Sequence, residues 1–315
     1  MKTSTYIYFS LLLAAMAGCK KGTITQVGDQ AGGALIKFVH AAPGTPAVDG
    51  YVNNTRITPS AVVSVTDNQL ATSVTTGISF SYLGSATTYL GLFPSSNYAA
   101  VQAGSTAIKI VVSTPVPALK TAQTSAVGAT IGSVTQNTTS GSAYSVFAIG
   151  LPGSVAAPLG VKIVEDKFPA AESGKAYVRF AYLVPNGGAV DVKAFHTPTG
   201  VTKVDTAATN TNVAYGTVTD FVAVNVNPTS TTNYTFQMFL TGTTTKLGPI
   251  SGAVPLAPGR YYTILARGLA ADYPVPGTSI TLKATARPTL PVTDPNTKLP
   301  EIYFNPIGMV YYTNK

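Results

Sequence analysis

Two stretches of this chain repeat each other. ALIKFVHAAPGTPAVDGYVN (34–53) aligns with AYVRFAYLVPNGGAVDVKAF (176–195) at a constant spacing of 142. Ala34/Ala176, Phe38/Phe180, Pro43/Pro185, Ala47/Ala189, Val48/Val190 and Asp49/Asp191 are identical, while Ile36/Val178 and Lys37/Arg179 are alike. Further on, GSAYSVFAIGLPG (141–153) aligns with GRYYTILARGLAA (259–271) at a spacing of 118, matching Tyr144/Tyr262, Ala148/Ala266, Gly150/Gly268 and Leu151/Leu269. Two matches in the same order mean two copies of one unit. The second copy is 24 residues shorter between these landmarks (142 less 118), a difference that loops absorb at little cost. The fold must therefore be one that a unit of about 140 residues can build twice.

The local pattern is that of strands. Ile36, Phe38 and His40 alternate with Leu35, Lys37 and Val39; Tyr262, Ile264 and Ala266 alternate with Thr263, Leu265 and Arg267; Val222, Val224 and Val226 repeat the period. Breakers recur every 8–15 residues, among them Pro43-Gly44, Asn53-Asn54, Pro152-Gly153, Asn227-Pro228 and Pro258-Gly259. No segment of twelve or more residues carries a helical period. Many short strands at this spacing predict an all-β chain of sandwiches or barrels. Each copy is long enough to bury roughly two thirds of its unfolded surface, so each is expected to fold by itself. The boundary is expected in PAAESG (169–174), and the aromatic C-terminus EIYFNPIGMVYYTNK supplies the last strands of the second copy.

The N-terminus reads MKTSTYIYFSLLLAAMAG followed by Cys19, the sole cysteine of the chain, which excludes an intrachain disulfide. Lys2 followed by a twelve-residue apolar run, Tyr6 to Ala17, is too short to span a membrane and has the form of a signal-peptide core. Met16-Ala17-Gly18-Cys19 resembles a bacterial lipobox. The resemblance implies cleavage before Cys19, diacylglycerol on its sulfur and N-acylation; two or more chains would hold the protein on a membrane stably. Residues 1–18 are thus read as signal peptide and 19–33 as a lipidated, Gly-containing tether. No acidic cluster follows the cysteine, as it does in the exported lipoproteins of Bacteroidota, so the face of the outer membrane stays open. The formal net charge of +8 comes from scattered residues, only Lys20-Lys21 being adjacent, and no basic helix or aromatic–basic strand suggests nucleic acid. Solvated strand faces and edge lysines account for the rest.

The run Phe38-Val39-His40-Ala41-Ala42-Pro43 with Ala47-Val48-Asp49, together with the later Tyr-x-x-x-Ala-x-Gly strand, resembles the DUF4397 family of bacterial envelope proteins. The resemblance implies tandem immunoglobulin-like β-sandwiches behind a lipoprotein signal, here 34–172 and 173–315. The second copy departs from it at Tyr182, in place of His, and at Asn186-Gly187-Gly188.

The candidates for chemistry are sparse. His40 and Asp49 flank one turn, and a His–carboxylate pair can orient a base. Yet no G-x-S-x-G elbow accompanies them, and the second copy keeps Asp191 while replacing the histidine. His40 and Tyr182 are therefore expected as half-buried strand ends. Pro43, Asp49, Pro185 and Asp191 are read as turn residues, the aspartates holding turn N–H groups after the proline. His40 and His196 lie in different copies, no Cys-x-x-Cys exists, Glu165-Asp166 reads as an exposed strand end, and no phosphate loop is present, so no metal or cofactor is expected. Ten tyrosines (Tyr82, Tyr89, Tyr98, Tyr144, Tyr261, Tyr262, Tyr273, Tyr303, Tyr311, Tyr312) could stack on sugars, although Tyr is also an ordinary strand residue. Asp205-Thr206-Ala207 matches a short O-glycosylation acceptor and also reads as a turn. The expectation is a non-catalytic, lipid-anchored cell-envelope protein whose partners are the membrane and an envelope protein or glycan. The alternative is a glycan-binding lipoprotein in polysaccharide capture or adhesion.

Overall fold

The computed structural model describes residues 32–64, 73–78, 91–118, 123–196, 205–288 and 301–315. Cys19, with the rest of residues 1–31, and Tyr82 and Tyr89 lie outside these residues. Gly32–Lys315 is one compact unit. In chain order the first copy supplies β1 (Ala34–His40), β2 (Val48–Val52), β3 (Thr55–Arg56), β4 (Ala61–Ser64), β5 (Ser73–Thr76), β6 (Leu92–Phe93), β7 (Ala99–Val101), β8 (Gly104–Val112), β9 (Thr130–Thr138), β10 (Ala143–Ile149) and β11 (Gly160–Glu165). The second supplies β12 (Lys175–Tyr182), β13 (Val190–His196), β14 (Asp205–Val213), β15 (Thr217–Val218), β16 (Val222–Asn225), β17 (Thr232–Leu240), β18 (Val254–Leu256), β19 (Tyr261–Arg267), β20 (Tyr273–Pro274), β21 (Thr281–Leu282) and β22 (Gly308–Thr313). A short 3₁₀ turn, Glu301–Tyr303, interrupts the strands near the C-terminus. The all-β expectation holds.

Four sheets carry the architecture: β3-β2-β8-β9, β11-β10-β1 with β6 and β7, β15/β16-β12-β19-β22, and β14-β13-β17-β18. The two inner sheets share one topology. β1 runs parallel to β10 with Lys37 opposite Ser145, and β12 runs parallel to β19 with Arg179 opposite Thr263. On the far side β11 and β22 close the ladders antiparallel. Ile36, Phe38, Ile108, Ile110 and Val146 fill the space between the first two sheets, and Val178, Phe180, Tyr234, Phe236 and Ile264 fill that between the last two.

A third apolar layer, with Val39, Phe147, Leu183 and Leu265, lies between the two inner sheets. The molecule is thus a stack of four sheets. The central strands β1, β10, β12 and β19 are buried on both faces, whereas β8 and β9 alternate between buried and exposed residues. The structure has the copies packed face to face, a contact that the sequence reading did not foresee. Period-2 alternation marks the side facing one core; it cannot say whether the other side meets water.

The turns at the copy-specific breakers are equivalent but not identical. Thr45 N–H donates to Ala42 O at 3.3 Å across Pro43-Gly44, with φ +70° at Gly44 as a type II turn requires. Gly187 N–H donates to Val184 O at 3.2 Å across Pro185-Asn186. Spacings also locate an insertion. Leu151/Leu269 are 118 apart, but the prolines bridged to them, Pro158 and Pro306, are 148 apart. The second copy therefore carries 30 additional residues there (148 less 118). Part of that insertion is the β20–β21 hairpin, which leans on the first copy: Tyr273 OH donates to Pro152 O at 3.2 Å, and Asn305 Oδ1 accepts from Gly44 N–H at 2.9 Å.

Candidate functional site

The His40–Asp49 pair does not form a site. His40 is 1% exposed at the end of β1, and its Nε2 lies 2.9 Å from Pro46 O. Burial pushes its pKa down to about 4, the Pro46 carbonyl opposing that shift, so the ring is neutral near pH 7. Tyr182 occupies the equivalent place, 0% exposed, and its hydroxyl donates to Gly188 O at 2.8 Å, the residue equivalent to Pro46. Both side chains are thus internal struts rather than the half-buried strand ends expected. The exchange is coupled to a second one. A Cβ at Gly187 would collide with the Tyr182 hydroxyl, whereas the smaller His40 leaves room for Thr45 at the matching position.

The two aspartates also depart from expectation. Neither holds the N–H groups of the proline turn. Asp49 Oδ1 faces Arg56 Nε at 3.3 Å, and burial outweighs that guanidinium and the hydroxyls of Ser113 and Thr58, raising the carboxyl pKa. Asp191 is half-buried and accepts N–H bonds from Asn212 at 2.8 Å and Gly242 at 3.0 Å, which lower its pKa. One conserved letter of the repeat therefore sits in two opposite electrostatic settings. Among the described residues no three His, Cys, Asp or Glu side chains gather as a metal site requires. His196 stacks on Tyr234 with ring centroids 4.8 Å apart.

Most described tyrosines are structural. Tyr144 OH accepts from Thr139 N–H at 3.0 Å, and Tyr262 OH repeats the contact with Ala257 N–H at 2.9 Å, each pinning the turn before its strand. Tyr177 and Tyr261 stack at 4.7 Å and donate to Ala170 O and Pro169 O, clamping the segment between the copies. Phe168 packs against Tyr261 at 4.9 Å from the same segment.

A charged constellation lies between the inner sheets, and the sequence reading missed it. Asp166, expected on an exposed strand end, is 3% exposed, and Arg179 and Lys37, expected on solvated faces, are 2% and 0% exposed. Arg179 Nη1 meets Asp166 Oδ1 at 2.6 Å, Nη2 donates to Ser145 Oγ at 2.9 Å, and Nε donates to Thr263 Oγ1 at 2.8 Å. Ser145 Oγ donates in turn to Asp166 Oδ2 at 2.8 Å, and Thr263 Oγ1 to Asn314 Oδ1 at 2.6 Å. Asn314 Nδ2 reaches Tyr98 OH at 2.8 Å, and the Tyr98 hydroxyl donates to Asp166. Lys37 Nζ donates to Pro94 O at 2.9 Å over the Tyr98 ring; its pKa falls to about 8 because burial outweighs the attraction of Asp166.

A buried charge needs a partner and hydrogen bonds, and Asp166 has the Arg179 guanidinium on Oδ1 and the Ser145 and Tyr98 hydroxyls on Oδ2. Within it the hydroxyls of Ser145, Thr263 and Tyr98 and the Asn314 amide each use donor and acceptor, while the Tyr312 hydroxyl is buried beside them without a hydrogen bond. Such a cluster fixes register and orientation between two apolar faces rather than presenting a reactive group to solvent. One signal in the sequence marks it. Lys37, Ser145, Arg179 and Thr263 are polar residues set inside four mostly apolar runs, away from the polar residues at the strand ends.

A family model described as "Domain of unknown function (DUF4397)" matches residues 34–193. The match covers the first copy and enters the second through β12 and the start of β13, the stretch that carries the repeated Phe…Pro…Ala-Val-Asp motif. No curated protein matches the chain.

Proposed function

The chain belongs to the DUF4397 family, and on that premise we propose that it is a non-catalytic, lipid-anchored protein of the cell envelope, whose paired sandwiches form a stiff spacer and contact module. Lipid on Cys19 holds it at the outer membrane, and residues 19–33 lift the block from the surface. The observation that carries this reading is the use made of the charged interior: Arg179 with Asp166 and Ser145, and Asn314 with Tyr98, join the two copies into one body. Loops at the ends of the stack remain for binding an envelope partner. Glycan capture is the weaker reading, because Tyr144, Tyr261, Tyr262, Tyr303 and Tyr312 are buried and cannot stack on a sugar ring. No helix among the described residues is long and apolar enough to cross a membrane, a statement that does not bear on strands. The direct test is metabolic labelling with a palmitate analogue in cells making the full chain or its Cys19→Ala variant. Labelling that disappears with the thiol supports the anchor; equal labelling refutes it. Binding of glycans by the soluble fragment 34–315 on an array would move the reading to the alternative.

A further inference from the structure

The face between the copies is built twice from the same positions. The ladder registers place Val39 with Ala181, Phe147 with Leu265, Leu92 with Val218, and Tyr98 with Phe221 as equivalents. The outer ladders add Val164 with Tyr312 and Asp166 with Asn314. Both members of each aliphatic pair belong to the apolar layer between the sheets or pack against it.

The polar positions repeat in the same way. Ser145 bonds Asp166 in one copy as Thr263 bonds Asn314 in the other. Asp166 N–H donates to Ala143 O at 2.7 Å, and Asn314 N–H to Tyr261 O at 2.7 Å. Lys37 lies 5.0 Å from the Tyr98 ring centroid, and Arg179 lies 4.7 Å from that of Phe221. Asn314 Nδ2 and Asp166 Oδ2 then meet at 3.4 Å, as two copies of one position do beside a two-fold axis. A contact in which the same patch serves both partners is isologous, the geometry of a symmetric dimer.

We infer that this face is a self-association surface of the single sandwich, whose partner is a second copy of the same fold, here held permanently by fusion of the two copies in one chain. One half of the pairing is live, Arg179 with Asp166. The other half is idle: Lys37 stands where Arg179 does, but Asn314 replaces the acid. This goes beyond the spacer reading and does not depend on the anchor.

The test moves the acid across the axis in the full chain. Asp166→Asn leaves Arg179 buried beside a neutral amide and lowers Tm by about 10 °C. Asp166→Asn with Asn314→Asp restores at least half of that loss, because the carboxylate now occupies the equivalent place and faces Lys37. Lys37→Met then abolishes the recovery in the doubly substituted protein, while leaving the Tm of the parent undiminished. A double variant no more stable than Asp166→Asn, or a recovery indifferent to Lys37, overturns the inference. Should Asp166→Asn fail to fold, the double variant read alone decides: folded with a raised Lys37 pKa by NMR supports the equivalence, and unfolded refutes it.

Discussion

His40 offers a sharp prediction because its ring is wholly enclosed. Its pKa is pushed down from 6.5 to about 4 in the folded protein, chiefly by burial. Between pH 6.5 and 4 the unfolded chain therefore binds a proton that the folded chain refuses. Stability contributed by the neutral ring is complete above pH 6.5, falls as the pH drops, and changes no further below about 4. A displacement of 2.5 pH units corresponds to about 3 kcal/mol, a substantial part of the ~5–15 kcal/mol that holds a typical domain. The control is supplied by the second copy: His40→Tyr with Thr45→Gly reproduces the Tyr182–Gly187 arrangement and removes the titrating ring. Urea midpoints at pH 7 and pH 4 for both proteins isolate the effect, since carboxylates elsewhere titrate alike in each. The parent should lose about 3 kcal/mol more than the variant. Equal losses would show that the ring is already protonated or solvated in the fold.

Three further outcomes follow from the same coordinates. Lys37→Met removes a cation that burial penalises; it should raise the urea midpoint at pH 7, with an advantage that shrinks between pH 8 and pH 10.5 as the unsubstituted lysine loses its proton more readily in the folded chain. Gly150→Ala and Gly268→Ala each place a methyl group against a proline carbonyl, at Pro158 and Pro306, on a backbone with φ of +98°. Each should cost roughly 2 kcal/mol or more by denaturant titration. Because the two glycines are equivalent by repeat, costs differing several-fold would contradict the shared geometry.

What the sequence disclosed is local and periodic. Alternation in 34–40 and 261–267 predicts β1 and β19, and the repeat spacing predicts that they recur as β12 and β10. The Pro43 and Pro185 turns are legible because proline and its neighbours have few conformations. The partner of the second strand face is not legible. Lys37 and Arg179 look like solvated cations in one dimension, and only the stacking of one inner sheet on the other removes them from water. Asp166 was hidden for the same reason, its partner lying in the next copy. Asp49 and Asp191 show the converse: identical letters in matched motifs acquire opposite environments because Arg56 on β3 and the Asn212 backbone on β14 belong to strands that differ between copies.

The position of β1 within its sheet has a mechanical consequence. It is the first strand after residue 33, yet it lies inside the sheet, parallel to β10 and flanked by β6 and β7 on its other edge. Tension applied along the axis of this strand would strain its ladder lengthwise, so that many bonds resist together. A terminal strand at a sheet margin would instead unzip one bond after another. The proposed anchor, acting through residue 33, would place its load on a strand held by ladders on both edges.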